Sequence, residues 1–395
     1  MQNIIKKTIK NNMDAYKKIV KTLYENPELG NREFKAQKLL TDYLKSTGFE
    51  VQSGAAVPTD FVAKYSSKKE GPKIAFMCEY DALPGVGHGC GHNLIAGMSV
   101  SAGEGLKSVI DKVGGTVYVF GTPAEENFGG KVSMAKAGLF DSIDAALMLH
   151  PATQNGLGSD SNALYPLKFE FFGKNAHGCN AYLGASALDA AVMTYQGINM
   201  LRQFAKPKQR VFIHGIIKNG GEAANVIPDY SSLEYYFRAK SITYAMELAQ
   251  KATNIAEGAC LATGTTLKTS VYECPYEDTV LNYTLGEILK EKLTEEGIEN
   301  IKPIEIGSGG STDVGAVSYI CPTIQGYIKI ADSGVAGHSV AMADATISEA
   351  GTNALYSGAV ALAKVGLSLI QDKKLLDEVK KEQKERVAAI KKEQE

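Results

Sequence analysis

Lys73-Ile74-Ala75-Phe76-Met77, then Gly87-His88-Gly89-Cys90-Gly91-His92, then a small-residue run from Leu94 to Ile110: this stretch decides the fold. The first segment is an apolar run of strand length, and the last keeps its apolar residues over helical length. A glycine-rich loop joins them. Working outward, Asp60 to Tyr65 reads as a preceding strand, and Thr116 to Phe120 and Ala145 to Leu149 read as further buried strands. Strands that alternate with helices predict an α/β domain built on a mainly parallel sheet with helices on both faces. The opening stretch carries Ile9, Met13, Tyr16, Ile19-Val20 and Leu23 at helical spacing, breaks at Asn26-Pro27, and resumes through Phe34, Leu39-Leu40 and Leu44. A helical pair is expected there.

The pattern changes at Leu164. Leu167-Lys168-Phe169-Glu170-Phe171 alternates apolar with charged, as a sheet with one solvated face requires. A helix from about 185 to 204, strands at 210–217 and 231–239, a helix at 244–263 and a strand at 266–272 complete a compact α+β unit. After Asp278 the first pattern resumes, with a helix to Glu295, strands near Pro303 to Ile306 and at 323–330, and a long Ala/Gly-rich helix from Val340 to Leu369. The reading is one discontinuous domain (1–165 and 278–395) with a second domain (166–277) inserted into it. The tail from Gln371 to Glu395 mixes both charge signs over a weak apolar stripe and is expected as a solvated terminal helix.

At 395 residues, two domains are the prior. A formal net charge of -2 gives no reason to bind nucleic acid or an acidic membrane, so the ligand is expected to be small. No signal-peptide core follows Met1-Gln2-Asn3-Ile4-Ile5-Lys6-Lys7, and no later run reads as long enough to span a bilayer, which makes a cytoplasmic protein the expectation. Six cysteines without C-x-x-C spacing fit reduced thiols.

Cys90 and His92 have the character of metal ligands, because a thiolate and a neutral imidazole are donors that zinc accepts, and the glycines let both side chains reach one point. Further donors stand at element ends: Glu125-Glu126 after the Thr116 strand, His150 closing the Ala145 strand, and His338 in Ala336-Gly337-His338-Ser339. Taken singly, each has a plainer alternative: a buried small residue, a core histidine, a solvated turn. Their joint placement at strand ends, where open α/β sheets put their chemistry, favours a metal centre. Adjacent glutamates suit a division of labour, one on a metal and one on its water, and the reaction class is then hydrolysis. No G-x-S-x-G elbow or phosphate loop occurs, and Gly307-Ser308-Gly309-Gly310 reads as a turn shaping the substrate cleft.

Glu79-Tyr80-Asp81-Ala82-Leu83-Pro84, His88-Gly89-Cys90-Gly91-His92-Asn93, Gly121-Thr122-Pro123-Ala124-Glu125-Glu126 and Ser311-Thr312-Asp313 resemble, in order, the aminoacylase and carboxypeptidase family of dinuclear metallohydrolases (metallopeptidase family 20), in its cysteine-containing amidohydrolase branch. The resemblance implies two divalent ions per chain, zinc or manganese, bridged by Cys90. His92 and His150 would complete one site, Glu126 and His338 the other. Glu125 would be the general base and acid, and Asp81 would orient a ligand. The resemblance makes the discontinuous domain the catalytic one and the insert a lid or dimerisation domain, in which His177 would contact the substrate carbonyl, often across a dimer interface, while Asn225 and Arg238 would hold the substrate carboxylate, a task to which a planar guanidinium is suited. Two positions depart from the pattern: Asn93 stands where many relatives have Asp, a form resembling the p-aminobenzoyl-glutamate hydrolases and the dipeptidases of basic or β-alanyl dipeptides, and Glu79 stands where distant members have a ligating histidine. The implied activity is hydrolysis of an amide bond in a small N-acyl amino acid or dipeptide by a homodimer. The alternatives are a deacetylase or esterase on the same scaffold, or a catalytically silent binding relative.

Overall fold

The computed structural model describes residues 1–394 except Ser308, so the glycine turn expected at 307–310 has its second residue outside the described set. Helices α1 (Gln2–Asn11), α2 (Met13–Glu25) and α3 (Phe34–Ser46) lead into strands β1 (Glu50–Ser53), β2 (Phe61–Ser66) and β3 (Lys73–Cys78). Then follow α4 (His92–Val113), β4 (Thr116–Gly121), α5 (Gly130–Lys136) and β5 (Ala145–Ala152). The insert holds β6 (Ala163–Phe172), β7 (Ala176–His177), α6 (Ala187–Leu201), β8 (Phe212–Asn219), β9 (Val226–Ile227), β10 (Tyr230–Ala239), α7 (Ile242–Thr263) and β11 (Thr266–Ser270). The chain returns through α8 (Tyr283–Glu295), α9 (Val314–Ser318), β12 (Thr323–Lys329), α10 (Val340–Thr346), α11 (Glu349–Gln371) and α12 (Lys373–Gln394).

The first sheet runs β1-β2-β4-β3-β5-β12. Its β4, β3, β5 and β12 are parallel neighbours, whereas β2 joins β4 antiparallel and β1 extends that edge. The chain leaves β3 through α4 to β4 on one side and reaches β5 on the other, which opens a crevice beyond the carboxyl ends of these strands. Helix α4 fills the core because its glycines admit neighbours: a Cβ on Gly97 would stand 2.4 Å from Val20 Cγ2, and one on Gly103 would stand 2.4 Å from Val119 Cγ2. Substitution there would force the helix off the sheet.

The second sheet is antiparallel, ordered β11-β6-β10-β8. Leu233, Tyr235 and Phe237 of β10 are buried in the core shared with α6 and α7. The two-residue period of a strand therefore turns Glu234, Tyr236 and Arg238 to the opposite face.

Five expectations need correction. The opening is three helices, since the chain also breaks at Asn12. Pro303 to Ile306 form no strand; Lys302 and Glu305 make only single bridges, to Gly156 and Ser159, because Pro303 has no N–H to give a ladder. The long helix from Val340 divides into α10 and α11, with Ser348 capping the second by accepting the Gly351 N–H at 3.1 Å. The tail is docked: Val379 is fully buried, and the Glu382 carboxylate accepts the Tyr283 and Thr284 N–H groups at 2.9 and 2.8 Å, capping α8. Finally, α11 is long and apolar enough to cross a membrane, but 72% of its apolar window is buried within the protein, as befits a core helix.

Candidate metal centre

Three strand ends deliver the candidate residues. Glu79 and Asp81 follow β3. The chain then curls so that Gly91, with φ 88°, caps α4 and sets Cys90 and His92 on either side. A Cβ at Gly91 would stand 2.9 Å from the Pro151 side chain, so only glycine lets the loop close on β5, where His150 sits. After β4, Ala124 adopts φ 58°, a region costly for a residue with a Cβ, and its N–H is held by the buried Glu33 carboxylate at 2.8 Å. That bend turns Glu125 and Glu126 inward. His338, also at positive φ, arrives from the far end of the chain and its N–H donates to Gly89 O at 3.0 Å.

The donors converge in overlapping sets. Cys90, His92 and His150 lie with their donor atoms within 4.8 Å of one another; so do Cys90, Glu126 and His338, and so do His92, Glu125 and Glu126. Cys90 belongs to the first two. His92 Nδ1 faces the Asp81 carboxylate at 2.8 Å and the Asp81 carbonyl at 3.1 Å, both acceptors, which places a ring proton on Nδ1 and, in the neutral ring, aims the Nε2 lone pair at the other donors. Asp81 also accepts the Glu126 N–H at 3.0 Å. His92 Nε2, Glu126 Oε1 and Glu79 Oε2 are all buried without a hydrogen-bond partner, although Glu79 Oε2 is 3.3 Å from His92 Nε2 and Glu125 and Glu126 approach it at 3.9 Å. Lone pairs that face one another across such gaps repel unless a cation lies between them. Sulfur, imidazole and carboxylate donors suit a borderline transition-metal ion, so these residues fit a dinuclear site.

Burial and charge act on the same groups. Burial carries the Glu125 carboxyl well above the usual carboxylate range, with Glu79, Asp313 and Glu126 adding repulsion. Burial lowers His150 to about 4 and keeps it neutral, the ligating form. Burial lowers His92 as well, but the charges of Asp81, Cys90 and Glu79 outweigh it and draw a proton to the ring when no cation is near.

A buried triad beside the donors escaped the sequence reading. Lys131, with no exposed side-chain surface, donates through Nζ to Glu79 and Asp313 at 2.6 Å each, and its backbone N–H donates to Asp313 at 3.0 Å. Asp313 was visible as a motif residue, but a lysine after two glycines reads as solvated until its partners are placed.

Two cavities meet at the centre. One, of about 330 Å³, is lined by Glu125, Glu126, His338, Tyr236, Arg238 and Glu273. The other, of about 220 Å³, runs from Cys90 and His150 past Ser159, Gln325 and Tyr327. Arg238 therefore reaches the site. His177 and Asn225 line neither cavity; they sit together on the β7–β9 ribbon, where Gly178 N–H donates to Asn225 O at 2.8 Å. His88 is buried beneath the loop and His214 packs edge-on against Tyr236 at 5.6 Å.

The sequence profile of Peptidase family M20/M25/M40 matches residues 75–360. Mouse Xaa-Arg dipeptidase is 37% identical over 378 residues, covering 92% of this chain and 87% of its own. One of the subunits of p-aminobenzoyl-glutamate hydrolase from Escherichia coli (strain K12) is 32% identical over 300 residues, covering 70% of this chain and 61% of its own. Among solved structures, the aminobenzoyl-glutamate utilization protein from Klebsiella pneumoniae superposes with a TM-score of 0.70 at 17% identity, covering 91% of this chain and 97% of that one, a likeness of fold.

Proposed function

The chain belongs to peptidase family M20/M25/M40 and is a metal-dependent hydrolase, and from that premise we propose that it cleaves the amide bond of small dipeptides or N-acyl amino acids bearing a free carboxylate. The observation that carries this reading is Cys90 shared between two donor sets, with the Glu125 carboxylate beside both. Cys90, His92 and His150 would hold one ion, and Cys90, Glu126 and His338 the other, zinc or manganese. Such ions supply Lewis-acid activation of water and of the scissile carbonyl.

The chain's own residues do the rest. Glu125 takes a proton from the attacking water and returns it to the leaving amine. Asp81 fixes the His92 tautomer. Arg238, which has no carboxylate partner among the described residues, receives the substrate carboxylate in the larger cavity. The smaller cavity takes the acyl group; away from the donor residues its wall includes Leu157, Ser159, Asp160 and Tyr327, with Asp160 paired to Arg210 at 2.8 Å. Relatives named Xaa-Arg dipeptidase and p-aminobenzoyl-glutamate hydrolase bracket the substrate class.

The proposal includes a homodimer through the lid. Strand β8 is a sheet edge, and beside it Met200 and Phe204 are 60% and 72% exposed, a strand and apolar surface that a second copy would cover. His177 and Asn225 would then serve the partner's cleft. We also place the protein in the cytoplasm. The test is a panel of dipeptides, acetylated amino acids and p-aminobenzoyl-glutamate, run with zinc and with manganese beside a metal count. Two ions per chain with turnover abolished by chelation is the expected result; full activity in metal-stripped protein would sink the reading.

A further inference from the structure

Apart from the metal-donor residues and Glu125, the larger cavity is lined by two charged groups that are not matched to each other. Arg238 makes only long contacts, Nη1 to Gly309 O and to Ser311 Oγ at 3.3 Å each, while its buried Nε has no partner. Glu273 is half-buried, lines the same cavity, and has no cationic partner among the described residues. Tyr236 stands between them. Its hydroxyl donates to the Glu273 carboxylate, and its ring lies 5.6 Å from the Arg238 guanidinium carbon. Tyr272, stacked on Tyr236 at 5.9 Å and 10°, holds that ring in place. A cation and an anion kept apart in one partly dry cleft carry a desolvation cost that a ligand with both opposite charges removes.

We propose that Glu273 is a specificity-determining residue that receives a cationic side chain on the same substrate residue whose carboxylate Arg238 binds. The inference rests on the amide-hydrolase reading above. Arg238 and Glu273 are separated by one tyrosine side chain, a span that fits the distance from an α-carboxylate to the end of a lysine or arginine side chain. The α-amine of a preceding residue lies beyond the scissile carbonyl, on the side of the smaller cavity, so it is not the group that Glu273 meets.

The experiment compares Ala-Arg with Ala-citrulline, which keeps the shape of arginine without its charge, and with N-acetyl-Ala-Arg. The wild-type enzyme should favour Ala-Arg over Ala-citrulline by about tenfold or more in kcat/KM, the scale of a charge-assisted hydrogen bond left unmade. Glu273→Gln should bring that ratio near one, and Glu273→Lys should invert the preference toward Ala-Glu, with melting temperatures reporting that both variants fold. Acetylating the N-terminal amine should leave the discrimination in place. An unchanged ratio in Glu273→Gln, or discrimination that vanishes on acetylation, overturns the assignment. If the wild type cleaves none of these compounds or the wider panel, the functional reading itself fails; calorimetry of arginine against citrulline on the metal-loaded protein then judges Glu273 alone, and equal binding of the two would refute its role.

Discussion

The metal loop and the lid face the same cleft but are built on opposite terms. Around Cys90 the donors are gathered to one point, fixed by strand ends, a left-handed glycine and the Asp81 carboxylate. On the lid, Tyr236 and Arg238 reach the cleft only because strand parity turns them away from the helix-packed face, and His177 and Asn225 reach neither cavity of their own chain. The metal donors thus sit on one unit, and under the proposed function recognition falls to the way the inserted unit faces it. Substitutions in the two regions should differ accordingly.

The largest contrast is expected at the glutamate pair. Glu125→Gln should cut turnover by about 10²–10⁴ with metal content intact, whereas Glu126→Gln should lose metal as well as rate; kcat and metal stoichiometry measured side by side separate them, and reversed results would exchange their roles. Next, Lys131→Met should destabilise the fold by about 3–5 kcal/mol in urea unfolding, because it strands two buried carboxylates. A loss near zero would mean that the triad is not what holds this wall. For the lid, Arg238→Ala should leave stability nearly unchanged and raise KM for free-carboxylate substrates by about ten- to a hundredfold. Capping the substrate carboxylate should impair the wild type similarly, and the two losses should not add; if they do, the carboxylate is read elsewhere.

The smallest effect concerns pH. Burial, reinforced by Asp81, raises the Glu33 carboxyl from its ordinary 4.5 to about 7. Between those values the folded chain holds a proton that the unfolded chain has released, so stability present below pH 4.5 is lost as pH rises through 7, by at most about 1.4 kcal/mol per pH unit. Glu33→Gln should flatten the slope of unfolding free energy between pH 5.5 and 6.5. A slope unchanged by that substitution removes Glu33 from the account.

What the sequence disclosed follows the same division. Cys90 and His92 are two residues apart in a loop of glycines, and Glu125-Glu126 are neighbours at a strand end, so local pattern suffices to mark them. The alternation of β6 and the apolar runs of β3, β4 and β5 likewise show the two sheets. The Lys131 triad does not show, because its partners stand 52 and 182 positions away and only the folded sheet brings them to one point. The split between α10 and α11 depends on one serine hydroxyl, and the docking of α12 on Glu382 meeting the start of α8. Such contacts override weak local preferences and leave no periodic trace.

The link between His338 and Gly89 also bears on how the molecule is made. Because the lid is inserted, Lys131 and Glu79 are synthesised long before Asp313, which follows Lys131 by 182 residues, an interval of roughly ten to forty seconds on a ribosome. During that time Cys90, His92 and His150 have emerged while His338 has not, and the Cys90 thiol stands without the segment that closes over it. Assembly of the complete donor set therefore falls at the end of translation, and a polypeptide truncated after the lid would carry Cys90, His92, Glu126 and His150 but lack His338, leaving the second set one donor short.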